Sequence, residues 1–208
     1  MRNLLLPPTE KRKQFELRAL ALRDFAGVNG DQPLDPFALA RFARLLVVDF
    51  EAIEGLSAAS RAHLLGAAAD EWSGGACSQP LPDGGRLVIL NPAHGQQRNR
   101  ATLMEEISHV FLGHAANRLA PVVSPTSDGK QRILTRDYNH DDEEAAYAVG
   151  AAALVPYSAL RRFITSGRSA SEVARHFRVS RQLVEYRIKV THLWAEYKDS
   201  SAPRPEHV

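Results

Sequence analysis

The sequence predicts an α+β fold that is mostly helical, with a small sheet and a helical hairpin near the C-terminal end. Three observations predict it. Helical spacing of apolar side chains recurs along the 208-residue chain, and the runs are opened by capping residues. One segment, Arg86-Leu-Val-Ile-Leu90, reads clearly as a strand between turn-forming residues. Two short helical patterns between Ser169 and Ile188 are broken by a turn at Phe177 to Ser180.

Length and composition bound the problem. A chain of 208 residues is long enough to bury a substantial core, as one domain or one domain with a small appendage. A formal charge of +2 gives no strong bias toward nucleic acid or membranes. A single cysteine, Cys77, excludes an internal disulfide framework, suits a reducing cytosol and is expected to be a small buried or half-buried side chain. No apolar run approaches the roughly 20 residues that span a bilayer. Met1 to Pro8 is too short for a signal peptide and lacks a small-residue cleavage site. The expectation is a soluble, cytoplasmic protein with no membrane partner.

Taken in order, Thr9 opens a helix from Glu10 to about Phe25, with Phe15, Leu17, Leu20, Leu22 and Phe25 as its apolar stripe. Lys11, Arg12, Lys13, Arg18 and Arg23 form a basic cluster, read as a solvated face with nucleic-acid contact as the alternative. Asp35 and Pro36 announce a second helix that carries Phe37, Leu39, Ala40, Phe42, Ala43 and Leu46 into a short strand at Val47 to Phe50. A third helix, Ala58 to Ala69, reads as packing. Trp72 to Cys77 contains the glycines of a tight turn, and Pro80 to Gly85 is a loop into the Arg86 strand. Gly95 to Arg100 is polar and reads as a loop, so Asn99 or Thr102 would cap the helix that follows.

That helix, Thr102 to Gly113, carries the chemistry. At about 100° per residue, Glu105, Glu106 and His109 share an arc of roughly 100°, opposite Leu103, Ile107, Val110 and Phe111. Two carboxylates and an imidazole on a partly buried face need partners, because an unpaired buried carboxylate costs several kcal/mol. A metal ion is an economical partner. The spacing matches that of H-E-x-x-H, in which residues four apart ligate zinc and the intervening Glu is a general base; here the pentapeptide is E-E-I-S-H. Strand, polar loop and ligand-bearing helix is the order that places a substrate-pairing edge strand beside a metal. His114 lies about 180° from Glu105 on a regular helix, but it can swing back if Gly113 ends the helix.

Ala116 to His140 reads as a long connection with a short strand at Arg132 to Thr135 or a flap. Asp141 or Asp142 then caps a helix from Glu143 to about Leu154, ended by Pro156. Its residues are nearly all small, so it can lie close against the Glu105 helix and offer a carboxylate from its first turn.

An E-x-x-H helix with a further His five residues on, then an acidic residue opening an Ala-rich helix that ends in Leu-x-Pro, resembles the ImmA/IrrE family of metallopeptidases, the DUF955 domain. Leu87 to Asn91 and the Arg98-x-Arg-x-Thr102 run are also similar to the family. The resemblance implies a zincin-like metallopeptidase domain and covers roughly residues 33–193. It implies metal ligands at Glu105, His109 and Glu143, with Glu106 as the catalytic base. Glu106 would take a proton from water activated by the ion and return it to the leaving amine. The family's first ligand is His, whereas this chain has Glu105; two carboxylates and one imidazole still suit Zn²⁺, with Mn²⁺ or Fe²⁺ as alternatives. Candidate oxyanion donors are His94, His114, His140, Tyr138 and Tyr147, while Glu144 points away from Glu143 toward solvent.

From Ser169 to Ile188 the spacing is helix-turn-helix-like: Val173, Ala174 and Phe177 face Val179, Leu183, Val184 and Ile188, and Ser180 caps the second helix. Arg181, Gln182, Glu185, Tyr186 and Lys189 face outward, which leaves two readings: a hairpin that completes the core, or a DNA reader. The units read along the chain are 1–30, an N-terminal basic helix; 31–165, the zincin-like domain; 166–198, the C-terminal helices; and 199–208, a disordered tail. The resemblance implies a metal-dependent endopeptidase whose partner is a protein substrate such as a helix-turn-helix repressor, in transcription regulation or stress response. The alternative is a non-catalytic zincin-like regulator that binds a protein or DNA.

Overall fold

The computed structural model describes residues 4–77, 79–114, 119–126, 129–136 and 139–201, with backbone alone for 119–136 and for residue 201. Helix α1 (Glu10–Phe25) begins and ends where expected. Its buried face is different, however. Phe15, Ala19 and Leu22 are buried together with Glu16 and Arg23, while Leu17 and Phe25 are exposed. Arg23 therefore leaves the solvated basic cluster. Its guanidinium donates to the carbonyls of Ala153 (2.7 Å), Gln32 (2.7 Å) and Gly30 (3.1 Å), so its hydrogen-bonding capacity is met by backbone.

Helix α2 (Pro36–Phe42) starts with the Asp35 carboxylate accepting from the Phe37 amide at 3.1 Å. It ends sooner than expected, because Arg44 takes a positive φ of 54° and turns the chain into β1 (Leu45–Val48). Helix α3 (Ala58–Leu65) stops at Gly66 and contains no buried residue, so it is not the packing helix its Ala and Leu content predicted. Short strand β2 (Gly74–Ala76) occupies the stretch read as a turn, and β3 (Arg86–Leu90) is the strand the sequence announced. The sheet order is β1-β3-β2, with β3 parallel to β1 and antiparallel to β2. The Arg86 strand is thus central. The edge on its β2 side belongs to Gly74, Gly75 and Ala76.

Helix α4 (Gln96–Leu112) begins inside the polar run that read as a loop. Those polar residues have partners at the helix start: buried Arg100 donates to the Leu34 carbonyl (2.6 Å) and the Arg178 carbonyl (3.1 Å). Leu103, Met104 and Ile107 fill the core, whereas Val110 and Phe111, expected there, are partly exposed. Strands β4 (Leu119–Thr126) and β5 (Gly129–Arg136) form an antiparallel pair, longer than the short strand expected.

Helix α5 (His140–Leu154) starts three residues earlier than expected because Asn139, not Asp141 or Asp142, is its cap; the Asn139 side chain accepts from the amides of Asp141 (3.1 Å) and Asp142 (3.4 Å). It runs antiparallel to α4, with Gly150 against Met104 and Glu143 against His109. A Cβ on Gly150 would meet the Met104 carbonyl oxygen and Ser108 Oγ, each at 3.2 Å. The small-residue face predicted from sequence is what lets these two helices approach. Gly150→Leu is expected to push them apart and lower stability by about 1–3 kcal/mol, the usual cost of overpacking. Urea unfolding measures it, and an unchanged midpoint would show that the contact has slack to absorb the side chain.

Helix α6 (Tyr157–Thr165), which the sequence reading passed over, buries Leu160, Phe163 and Ile164. Helices α7 (Ala170–Phe177) and α8 (Arg181–Val190) match the expected hairpin, with Val173, Ala174, Phe177, Val179, Leu183, Val184 and Ile188 all buried. Ser169 and Glu172 form a capping box, and Ser180 Oγ accepts from the Leu183 amide at 3.1 Å. Helix α9 (Trp194–Ser201) carries Asp199, where a tail was expected to begin; residues 202–208 lie outside the described residues. One core cluster runs from Phe15 to Leu193, so α1 and the C-terminal helices share it with the segment between them. Among the described residues, no helix is long and apolar enough to cross a membrane.

Candidate metal centre

Glu105 and His109 stand one helical turn apart on α4, and the antiparallel packing of α5 brings its first turn to them. His109 Nε2 lies 3.4 Å from Glu143 Oε2. Glu105, His109 and Glu143 each present one ligand atom, and the three atoms lie within 4.8 Å of one another. The earlier start of α5 places Asp141, Asp142 and Glu143 all in its first turn, where the helix dipole favours negative charge.

The electrostatics are those of crowded carboxylates. Burial pushes the Glu105 carboxyl up to about 7, and the neighbouring charges of Glu106 and Glu143 push in the same direction. Burial also holds the His109 imidazole below its ordinary range, although the Glu143 carboxylate opposes this. A neutral imidazole between carboxylates is a ligand-ready state. Donors bound to one zinc ion at 2.0–2.2 Å are separated by roughly 3.4 Å in a tetrahedron. The His109 to Glu143 separation already has that value, so the residues present fit a divalent cation, with a harder donor set than two imidazoles and one carboxylate. His140, Asp141 and Glu144 also cluster, but His140 and Asp141 are exposed, and Glu144 is held by Lys11 Nζ at 2.7 Å.

The centre opens into a cleft of about 800 Å³. Glu105, Glu106, His109, His114 and Glu143 line one side, and the segment from Asp70 to Cys77, which includes β2, lines another. Phe50, Ile53, Leu56 and Leu64 add apolar surface. The wall is braced by fully buried Asn91, whose side-chain amide donates to the carbonyls of Ala69 (2.8 Å) and Trp72 (2.9 Å), while its backbone amide donates to the Ser73 carbonyl (3.0 Å). Arg98 donates to Ser73 Oγ at 3.0 Å and ties the first turn of α4 to the same wall.

Gly113 decides the fate of His114. With φ 72° and ψ 24° it ends α4 in the left-handed conformation, the His114 amide donates to the His109 carbonyl at 3.0 Å, and the ring folds back onto His109. His114 Nδ1 lies 3.0 Å from His109 Nδ1, and His114 Nε2 lies 3.5 Å from Asp142 Oδ1. Of the other candidate oxyanion donors, His94 does not reach the cleft; its ring sits 3.1 Å from the Ala69 carbonyl oxygen. His140 is exposed and does not line the cleft. Tyr147 packs edge-on against Tyr186 of α8, with ring centroids 5.0 Å apart, and burial, then Tyr186 and Glu105, hold its phenol above the usual range. Tyr138 lies outside the described residues. Cys77 is a free, half-buried thiol at the end of the wall. The sequence reading missed Asn91 as a brace, β2 as the cleft edge, and Asp142 as a partner for His114. The Gly74-Gly75 pair and the run of four acidic residues, Asp141 to Glu144, in α5 were their visible traces.

An E-E-x-x-H helix, an antiparallel helix presenting a carboxylate to it, and a small sheet whose edge lines the cleft define a metallopeptidase fold. The family model described as Peptidase_M78, IrrE N-terminal-like domain, matches residues 69–189, and the chain belongs to that metal-dependent family. No curated protein matches the chain. A solved structure described as a Mycobacterium tuberculosis transcriptional regulator is similar at 12% identity with a TM-score of 0.48, over 85% of this chain and 46% of that one. This chain thus spans under half the length of that protein.

Proposed function

We propose that the protein is a metal-dependent endopeptidase of the ImmA/IrrE type, acting on an extended segment of a regulatory protein such as a helix-turn-helix repressor. The observation that carries the reading is the convergence of Glu105, His109 and Glu143 within 4.8 Å at one side of the cleft, with Glu106 beside them. A divalent cation held by those three groups would polarise a peptide carbonyl and make water a better nucleophile. Zinc is the proposed ion, with manganese and iron as the alternatives suited to two carboxylates. Glu106 accepts the proton of the attacking water and delivers it to the leaving amine. The edge of β2 offers main-chain hydrogen bonds to an extended substrate, whose side chains meet the apolar wall.

A second reading, a non-catalytic regulator on the same scaffold, is favoured by one observation: Glu105 stands where the family has a histidine. DNA reading by α8 is less well supported, because Arg181 is paired with Glu185 at 2.6 Å and Tyr186 packs on Tyr147.

Elemental analysis of protein purified without added metal tests the proposal. One equivalent of bound metal is expected, lost in His109→Ala. Saturating zinc should raise the thermal midpoint, since ligand at about 100 times its Kd stabilises the native state by about 2.7 kcal/mol. Glu105→His should tighten zinc. Metal-free protein whose melting is unmoved by zinc would overturn the enzyme reading in favour of the regulator.

A further inference from the structure

We propose that the apolar wall of the cleft is a specificity pocket, which selects peptide segments carrying a bulky apolar side chain beside the scissile bond. The inference rests on the metallopeptidase reading of the same cleft and names its substrate class. Phe50, Ile53, Leu56, Leu64 and Trp72 line the cleft, and none of them is part of the core cluster. Phe50 is buried; the other four are half-buried. Apolar surface left facing water costs roughly 25 cal/mol per Å², so a patch gathered on one wall of a cleft points to an apolar ligand. The cleft, at about 800 Å³, has room to take a large side chain whole.

Hydrogen bonds to backbone carbonyls hold this wall in place, which leaves its apolar side chains to the cleft. Arg61 Nη1 donates to the Phe50 carbonyl at 2.8 Å, Nη2 donates to the Ile53 carbonyl, and the guanidinium lies 5.6 Å from the Phe50 ring centroid. Trp72 Nε1 donates to the Leu64 carbonyl at 2.9 Å, so the one polar atom of the indole is satisfied, and its ring packs on Phe50 with centroids 5.5 Å apart. Helix α3, which buries nothing of its own, is thereby fixed as a wall. The wall also adjoins the ion site. Trp72 is extended (φ −140°, ψ 147°) and comes two residues before β2. A peptide paired with β2 therefore brings a side chain level with Trp72 about 7 Å beyond Gly74. Gly74 in turn lies against α4: a Cβ there would meet Thr102 Cγ2 at 3.0 Å, and Thr102 is about one helical turn before Glu105. One extended segment can thus present a carbonyl to the centre and an apolar side chain to the wall.

A peptide library varied one position at a time tests the pocket. Cleavage should favour Phe, Leu or Met over Ala at one position flanking the scissile bond by at least about 10-fold, the scale of discrimination a hydrophobic pocket supplies. Leu64→Asp, on a helix outside the core, should bring that preference to within a few-fold and leave cleavage of the Ala peptide near the wild-type rate. A second readout needs no turnover. Trp194→Phe leaves Trp72 as the single tryptophan, and Glu106→Gln in the same chain prevents cleavage. With zinc present, acetylated and amidated Ala-Ala-Phe-Ala-Ala should shift Trp72 emission to the blue, with a Kd about 10-fold below that of the all-Ala peptide. Cleavage without apolar preference, or a preference that Leu64→Asp leaves intact, would overturn the pocket and leave the peptidase standing. Phe-selective binding in a chain that cleaves nothing would support the pocket and sink the peptidase reading, whereas neither cleavage nor a Trp72 response would remove both. Trp72 emission that shifts with protein concentration alone would assign the wall to a second copy of the chain and overturn the pocket.

Discussion

Glu106→Gln is expected to reduce cleavage of a quenched fluorescent peptide library by about 10²–10⁴-fold, the range lost when a general base is removed. Metal content should not change. The substitution is nearly isosteric, and Glu106 is not one of the three groups whose ligand atoms converge, so the amide leaves the proposed ion cradle intact. What disappears is the ability to accept a proton from water beside the centre. Removing the Glu106 charge relieves the upward push on the adjacent Glu105 carboxyl but also takes a negative charge away from beside the cation site, and these opposed effects should leave zinc affinity within a few-fold of the wild type. Retained zinc with lost cleavage separates proton transfer from metal binding. Full activity in Glu106→Gln would show that another group is the base.

The second large effect lies away from the cleft. Glu16→Ala or Arg187→Met is expected to lower unfolding stability by about 3–5 kcal/mol, the cost of leaving one member of a buried ion pair uncompensated. Glu16 Oε2 lies 2.6 Å from Arg187 Nη2, with side-chain exposures of 1% and 3%. Glu16 Oε1 accepts from the Tyr157 amide at 2.6 Å, which caps α6 where Pro156 has no side chain to do so. Arg187 Nε donates to the Val155 carbonyl at 3.1 Å. The pair therefore joins α1, the α5–α6 turn and α8. Glu16→Leu combined with Arg187→Met should recover much of the loss, because an apolar replacement of both partners removes the desolvation cost along with the attraction. Chemical denaturation of the single and double variants measures this. Single-variant losses well under 1 kcal/mol would mean that water reaches the pair.

Much of the candidate site was legible in sequence because it is local. A 3.6-residue repeat is enough to put Glu105, Glu106 and His109 on one arc of α4, and the helical hairpin of α7 and α8 followed from apolar spacing and a Ser180 cap. Glu143 was reachable only by counting from Pro156 along a family resemblance, because nothing in its own segment distinguishes it from Asp142 or Glu144. Structure separates the three: Glu143 faces His109, Asp142 faces His114, and Glu144 is taken by Lys11.

By itself, the sequence determined the helical runs, the one clear strand, the small-residue face of α5 and the E-E-x-x-H arc. Each depends on spacing within a single element, which backbone geometry converts directly into position. Tertiary structure alone decided which strand is the edge beside the cleft, that α1 belongs to the core, and that Glu16, Arg23, Arg100 and Arg187 are buried. A charged side chain reads as solvent-facing until its partners are known, and here those partners are carbonyls at distant turns and a carboxylate on another helix. Gly113 stands between the two cases. Its residue type announced a helix end, but only the packed α5, with Asp142 waiting, gave the returning His114 something to do.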